Sequence, residues 1–233
     1  MDIKIVYSLF KTEINTRKQF DYYAKSIKRN SDIYRNFIKG SEMIVYHDDS
    51  VPKSVISYLL NNNITLKSQA RSNRWEGTLW RFKELLNCNK NTIVILQDAD
   101  SALDIENGLI KKLILRLCDN VYGGVIHHGL VSTNKLVKND KWIMAGQSIF
   151  NMEINININD LIPSFLAKNR EYDADELFLK EHIWPIIKDD IMINIERRAL
   201  PLFLRTVKTK SSTPNWLLDS NHMDRIITNL TQM

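Results

Sequence analysis

At 233 residues, with 44% hydrophobic and 25% charged residues, the chain has the length and composition of one large folded domain. Its 32 Lys and Arg outnumber its 27 Asp and Glu, giving a net charge of +5, which permits an anionic partner without requiring one because the basic residues are scattered. Cys88 and Cys118 fit neither a disulfide framework nor a zinc site. No stretch approaches a membrane span, and the start of the chain lacks the apolar core of a signal peptide; a cytoplasmic location is expected, or the host cytoplasm if the chain is virus-encoded.

In chain order, Ile3–Ser8 alternates as a first strand. A helix is predicted to about Arg29, with Phe20, Tyr23, Ala24 and Ile27 on one stripe, and a second short helix carries Tyr34, Phe37 and Ile38 up to Gly40. Met43–Tyr46 is the second strand. Pro52 suits the first turn of a helix over Lys53–Leu60, capped by Asp49 or Ser50. Ile64–Leu66 is a short third strand, residues 68–77 are polar and irregular, and Thr78–Leu86 is a helix. The apolar, β-branched run Thr92–Leu96 reads as a strand buried on both faces. A helix over Leu103–Leu117 and a strand over Val121–Ile126 follow. His127–Asp140 is expected to be a loop carrying His127, His128 and Gly129, and Lys141–Met152 an apolar stretch broken by Gly146. Helices are expected over Asp160–Asn169, Asp173–Ile187 and Met223–Leu230, with a strand at Ile191–Ile195. This alternation predicts the α/β class, a mainly parallel twisted sheet flanked by helices on both faces in a single domain.

Asp98 and Asp100 follow the buried Thr92–Leu96 strand directly. In an extended chain, residues two apart point the same way. Both carboxylates can then converge at the carboxyl end of the strand, where open α/β sheets bind ligands. Two hard oxygen anions suit Mg²⁺ or Mn²⁺, which take their remaining ligands from phosphate and water. The plainer alternative is that Asp98 caps the next helix and Asp100 is solvated.

Four stretches in this order resemble nucleotide-sugar-dependent glycosyltransferases of the GT-A fold: Val45–Pro52, Leu79–Phe82, Gln97–Ser101 and Tyr172–Pro185. The third is similar to the DxD motif of that family. The resemblance covers roughly residues 3–195. It implies a glycosyltransferase domain over 1–195, with a nucleotide-binding half to about 126 and an acceptor half over 127–195, and a C-terminal extension, 196–233, packed on the same domain.

The activity so implied is metal-dependent transfer of a sugar from a nucleoside-diphosphate sugar, UDP by default, to an acceptor hydroxyl on a glycan, a protein, a lipid-linked acceptor or a modified base in DNA. Mn²⁺ or Mg²⁺ held by Asp98 and Asp100 would neutralise the leaving diphosphate. Tyr7, Ser8, Asp48, Asp49, Arg81 and Asp98 would line the nucleotide-sugar pocket, with Arg71 and Arg74 as further candidates for the phosphates. Asp175 and Asp173 would be the catalytic carboxylates, and the Asp-Glu-Leu-Phe-Leu run is similar to segments of retaining enzymes. Each has a structural alternative: a capping turn for Asp48 and Asp49, a solvated arginine for Arg81, and a capped first helical turn for Asp173 and Asp175. His127 and His128 read as satisfied loop histidines, Asn194 stands where many members have a metal-contacting His, and Trp75, Trp80, Trp142 and Trp184 read mainly as packing residues. The competing functions are a nucleotidyltransferase, against which the glycine-free run Ser8–Thr12 counts, and a non-catalytic nucleotide- or nucleic-acid-binding module.

Overall fold

The structure is a computed structural model that describes residues 2–12, 17–37, 39–70, 75–89, 91–100, 124–129, 145–169, 174–187, 191–196 and 204–208. Its strands are β1 (Asp2–Leu9), β2 (Glu42–His47), β3 (Thr65–Ser68), β4 (Thr92–Gln97), β5 (Gly124–Gly129), β6 (Gln147–Asn151), β7 (Ile191–Glu196) and β8 (Leu204–Lys208). They form one mixed sheet in the order β3-β2-β1-β4-β6-β5-β7-β8. β1, β2, β3 and β4 are mutually parallel, β6 runs against its neighbours β4 and β5, β5 and β7 are parallel, and β8 is antiparallel to β7. The sheet is thus mainly parallel, and the segment after Glu196 adds an edge strand to it.

Alternation along the strands sorts the core into two layers. Ile3, Ile5, Tyr7 and Leu9 of β1, with Met43, Val45, Ile93, Ile95 and Ile149, face α1 (Arg17–Phe37) and α2 (Lys53–Asn61). Val6, Ile44, Tyr46, Val94, Leu96 and Phe150 face the other way. They meet α3 (Glu76–Leu79) with its 3₁₀ continuation Trp80–Asn87, α4 (Ile158–Lys168), α5 (Ala174–Phe178), the π-turn Leu179–Ile183 and α6 (Trp184–Ile187). Helices therefore cover both faces, as expected of strands that are apolar on both sides.

Several boundaries differ from expectation, each for a local reason. α1 is one helix, not two. Its buried stripe runs Phe20, Ala24, Ile27, Asn30, Ser31, Tyr34, so the two polar residues at its centre broke the apolar period without breaking the helix. No side chain caps α2; Asp48 Oδ1 instead accepts from Ser50 N (3.1 Å) and from Ser50 Oγ, and Ser50 Oγ accepts from Lys11 N (2.8 Å). His127, His128 and Gly129 belong to β5 rather than to a loop, and β5 starts at Gly124. Pairing to β6 on one side and β7 on the other outweighs the weak strand preference of glycine. The π-turn, closed by Trp184 N on Leu179 O, stands just before Pro185, whose ring cannot continue an α-helical ladder. The expected helices Leu103–Leu117 and Met223–Leu230 lie outside the described residues, as do Arg71, Arg74, Cys118, Trp142, Asp173 and His222. Cys88 is buried and free, and burial pushes its thiol up to about 11.

The stretch expected as an α-helix over Thr78–Leu86 winds mainly as a 3₁₀ helix. Three residues per turn set Arg81, Glu84 and Asn87 in one row. Glu84 is fully buried and takes four donors: Lys4 Nζ (2.8 Å) and Asn87 Nδ2 (3.0 Å) on Oε1, Lys67 Nζ (2.6 Å) and Tyr46 Oη (2.9 Å) on Oε2. These contacts tie the helix to β1, β2 and β3.

Burial alone would raise the Glu84 pKa, but hydrogen bonds from Lys4, Lys67 and Tyr46 outweigh it and hold the carboxyl at about 2. A depressed pKa stabilises the fold above the unfolded value of 4.5 and loses that contribution as pH falls through the folded value. Glu84→Gln should cost about 3 kcal/mol at neutral pH. The difference from wild type in urea titrations should shrink to nothing between pH 4.5 and about 2.

Candidate functional site

The carboxyl ends of β1, β2 and β4 and the start of antiparallel β6 lie along one edge of the sheet, with Gln97 of β4 in register with Gln147 of β6. Such an edge is where open α/β sheets bind ligands. At its centre sits Arg81, 5% exposed. Its backbone N–H donates to Ser8 Oγ at the end of β1 (3.2 Å). Its Nη1 donates to Gln97 O (3.3 Å) and to Asp98 Oδ1, and its Nη2 donates to Asp175 Oδ2 (2.9 Å). One guanidinium therefore joins the end of β4 to the first turn of α5, residues far apart in the chain.

The two carboxylates it joins differ. The Asp98 side chain is 44% exposed, whereas that of Asp175 is 17% exposed and its Oδ1 also accepts from Glu176 N (3.0 Å). Burial disfavours the charge of Arg81, but Asp98 and Asp175 overcome this and raise its pKa further. Burial also pushes the Asp175 carboxyl above its ordinary value; Arg81 pulls it back, and the charge of Asp98 adds to the rise. One cation against two anions leaves the trio with an excess negative charge.

Gly146, in the turn before β6, closes one side. A Cβ there would overlap the Asp98 carboxylate, so only glycine lets that side chain lie where it does. Gly77 plays the same part under the Phe10 ring, which also packs edge-on against Trp80 at 5.8 Å. The segment after β1 is thus filled by an aromatic ring.

Of the residues singled out in the sequence, Ser8, Arg81, Asp98 and Asp175 come together. Tyr7 does not line an open edge: it is fully buried on the α1 face, its hydroxyl donating to Gln97 Oε1 (2.9 Å) and accepting from Asn30 Nδ2 (3.2 Å). Asp48 is 2% exposed and folded into its own turn, and Asp49 is exposed. β4 ends at Gln97, and Ala99 and Asp100 lie in a turn with Asp100 exposed. Gln97 faces α1, Asp98 faces Arg81, and Ala99 packs again on the α1 side. The strand alternation thus carries on to Ala99. Among the described residues no group of three or more His, Cys, Asp or Glu forms a metal cage. Mg²⁺ needs no such cage when phosphate oxygens complete its shell, so a half-exposed and an exposed carboxylate suit it in donor chemistry. Gln97 and Gly146 join the site as well; in the sequence Gly146 shows only as a glycine that breaks an apolar stretch.

No family model matches the chain, and no curated protein matches it. Among solved structures, the crystal structure of 4-diphosphocytidyl-2C-methyl-D-erythritol synthase from Anaerococcus prevotii DSM 20548 is similar, at 12% identity over 97% of this chain and 98% of that one, with a TM-score of 0.45. At that score the likeness assigns neither fold nor chemistry to this chain.

The contact at Gly146 is testable by a double-mutant cycle. Gly146→Ala should destabilise the protein by about 1 kcal/mol or more, because Asp98 must swing away from Arg81 to clear the new methyl. In an Asp98→Ala background the same change should cost less, leaving a coupling of at least about 0.5 kcal/mol in chemical denaturation.

Proposed function

We propose that the chain is a transferase that takes a nucleotide donor at the carboxyl edge of the sheet. At the finer level it is a glycosyltransferase moving a sugar from a nucleoside-diphosphate sugar, UDP-sugars first, to an acceptor hydroxyl. The observation that carries this is the Arg81 fork held between Asp98 and Asp175 at that edge. It provides a fixed cation, a half-exposed carboxylate and a mostly buried one within a single hydrogen-bonded unit. The order of the sequence stretches similar to GT-A enzymes supports the same reading.

The chemistry follows from the groups present. Asp98 and Asp100 would hold Mn²⁺ or Mg²⁺, which supplies positive charge to the departing diphosphate. Arg81 keeps its charge at every working pH and fixes Asp175 in place. Asp175, made more basic than an ordinary carboxylate by burial, takes the acceptor proton in an inverting reaction or supports the sugar from the face opposite the leaving group in a retaining one. The anomeric configuration of the product separates the two.

Nucleotidyl transfer is the second reading, with a nucleoside triphosphate at the same edge. The aromatic packing of Phe10 against Gly77 and Trp80, where a glycine-rich phosphate loop would otherwise follow β1, supports glycosyl transfer over it. The released product decides: nucleoside diphosphate for glycosyl transfer, pyrophosphate for nucleotidyl transfer. A DNA acceptor, compatible with the positive net charge, would make acceptor binding fall steeply with salt, and a neutral glycan would not.

The donor is found by thermal and chemical stabilisation across nucleotide-sugars with Mn²⁺. A true donor at 100 times its dissociation constant should add about 2.7 kcal/mol. Stabilisation by none of them, with or without metal, overturns the proposal. With the donor in hand, Asp175→Asn should lower kcat by about 10²–10⁴-fold. Wild-type activity should fall on the acid side as Asp175 takes up a proton, with a midpoint above the ordinary value of an aspartate; Asp175→Asn should abolish that limb of the profile.

A further inference from the structure

Behind Arg81, on the opposite face of the sheet, lies a second polar cluster. Gln97 Oε1 accepts from Tyr7 Oη (2.9 Å) and from Tyr34 Oη (3.4 Å), and Tyr7 Oη accepts from Asn30 Nδ2 (3.2 Å). All four residues are at most 3% exposed, in a layer that is mostly aliphatic and aromatic. Burial holds both phenols protonated, so they remain donors.

The cluster and the site share the same two strand ends. β1 and β4 are paired up to Val6 and Leu96. Beyond that pair each strand places one residue on either face. Tyr7 and the Gln97 side chain point to α1; Ser8 and Asp98 point to Arg81 and bond it. The main-chain carbonyl of Gln97 itself accepts from Arg81 Nη1. The β1–β4 ladder stops at the Val6–Leu96 pair, while β1 stays paired to β2 through Leu9 and β4 to β6 through Gln97. The Tyr7–Gln97 bond carries the link between β1 and β4 past the end of their ladder, one residue before the groups that hold Arg81.

We propose that Tyr7 and Gln97 are positioning residues that fix Arg81, and through it Asp98 and Asp175, by a hydrogen bond running behind the sheet. This rests on the reading of Arg81, Asp98 and Asp175 as the functional centre. The expected division of roles is clear: the cluster touches no ligand, yet its loss loosens the centre.

The test compares Tyr7→Phe with Ile95→Val, a cavity change in the same layer that removes no hydrogen bond, and reads NMR signals as well as turnover. In Tyr7→Phe the Arg81 Nη signals should show faster rotation about the guanidinium bond than in wild type, and the titration midpoint of the Asp175 carboxyl should move. With a donor, kcat should fall at least tenfold while KM for the donor changes less than threefold. Ile95→Val should lower thermal stability and leave all of these as in wild type. Should Tyr7→Phe fail to fold, Tyr34→Phe is the replacement, with smaller changes in the same direction because its bond is longer. A folded Tyr7→Phe or Tyr34→Phe protein with wild-type Arg81 rotation and an unmoved Asp175 midpoint overturns the inference. The NMR arm needs no donor, so a wild-type protein that turns over no nucleotide-sugar counts against the proposed function alone.

Discussion

The buried guanidinium of Arg81 is the constraint on which the carboxyl edge depends. A charge taken out of water must be met by opposite charge and by hydrogen bonds, or it destabilises the fold by several kcal/mol. Arg81 meets this with two carboxylates and a main-chain carbonyl contributed by the end of β4 and the start of α5. Its planar fork fixes both carboxylates in direction as well as distance, which a lysine would not do. Ser8 Oγ accepts from the main-chain N–H of the same residue, so β1, β4, the 3₁₀ segment and α5 meet at one residue.

The tight winding of Trp80–Asn87 belongs to the same design. A long 3₁₀ run is unfavourable in isolation. Here the three-residue turn lets Arg81 reach the β4 edge while Glu84, one turn on, reaches Lys4, Lys67 and Tyr46. An α-helical turn would set the two about 60° apart around the axis instead of in one line. The apolar residues between them are used as well: Phe82 stacks on Phe178 at 5.6 Å, just beyond Asp175 on the facing helix. Charge and packing thus fix the same pair of elements together, and the Arg81–Asp175 contact is held by the core beneath it.

The strands were legible because β-branched alternation is a local property; Thr92–Leu96, Met43–Tyr46 and Ile191–Ile195 fall within β4, β2 and β7. What could not be read locally is what depends on partners. Asn30 and Ser31 look like a gap in an amphipathic stripe until Tyr7 supplies a buried partner for Asn30. His127 and His128 look like loop residues until β6 and β7 pair on the two sides of His127 and β7 pairs with His128. In the site, Arg81, Asp98 and Asp175 are each recognisable singly, yet no spacing rule joins an arginine to an acid on a helix so far along the chain. Tyr7 shows the limit of alternation: the period gives which residues share a face, but not that α1 seals that face.

Charge balance in the trio bears on what the edge can hold. Arg81 is already matched by Asp98 and Asp175, so by itself it offers a diphosphate little net attraction. At close range in a partly buried site, an uncompensated pair of like charges costs several kcal/mol. If the edge takes the proposed donor, its two phosphate charges would need further positive charge beside Asp98, the member of the trio with open surface. Asp175 is the opposite case, shielded on α5 and kept partly basic. The edge thus separates its two carboxylates by exposure, one suited to share a cation with phosphate and the other to handle a proton, with Arg81 between them holding both in register.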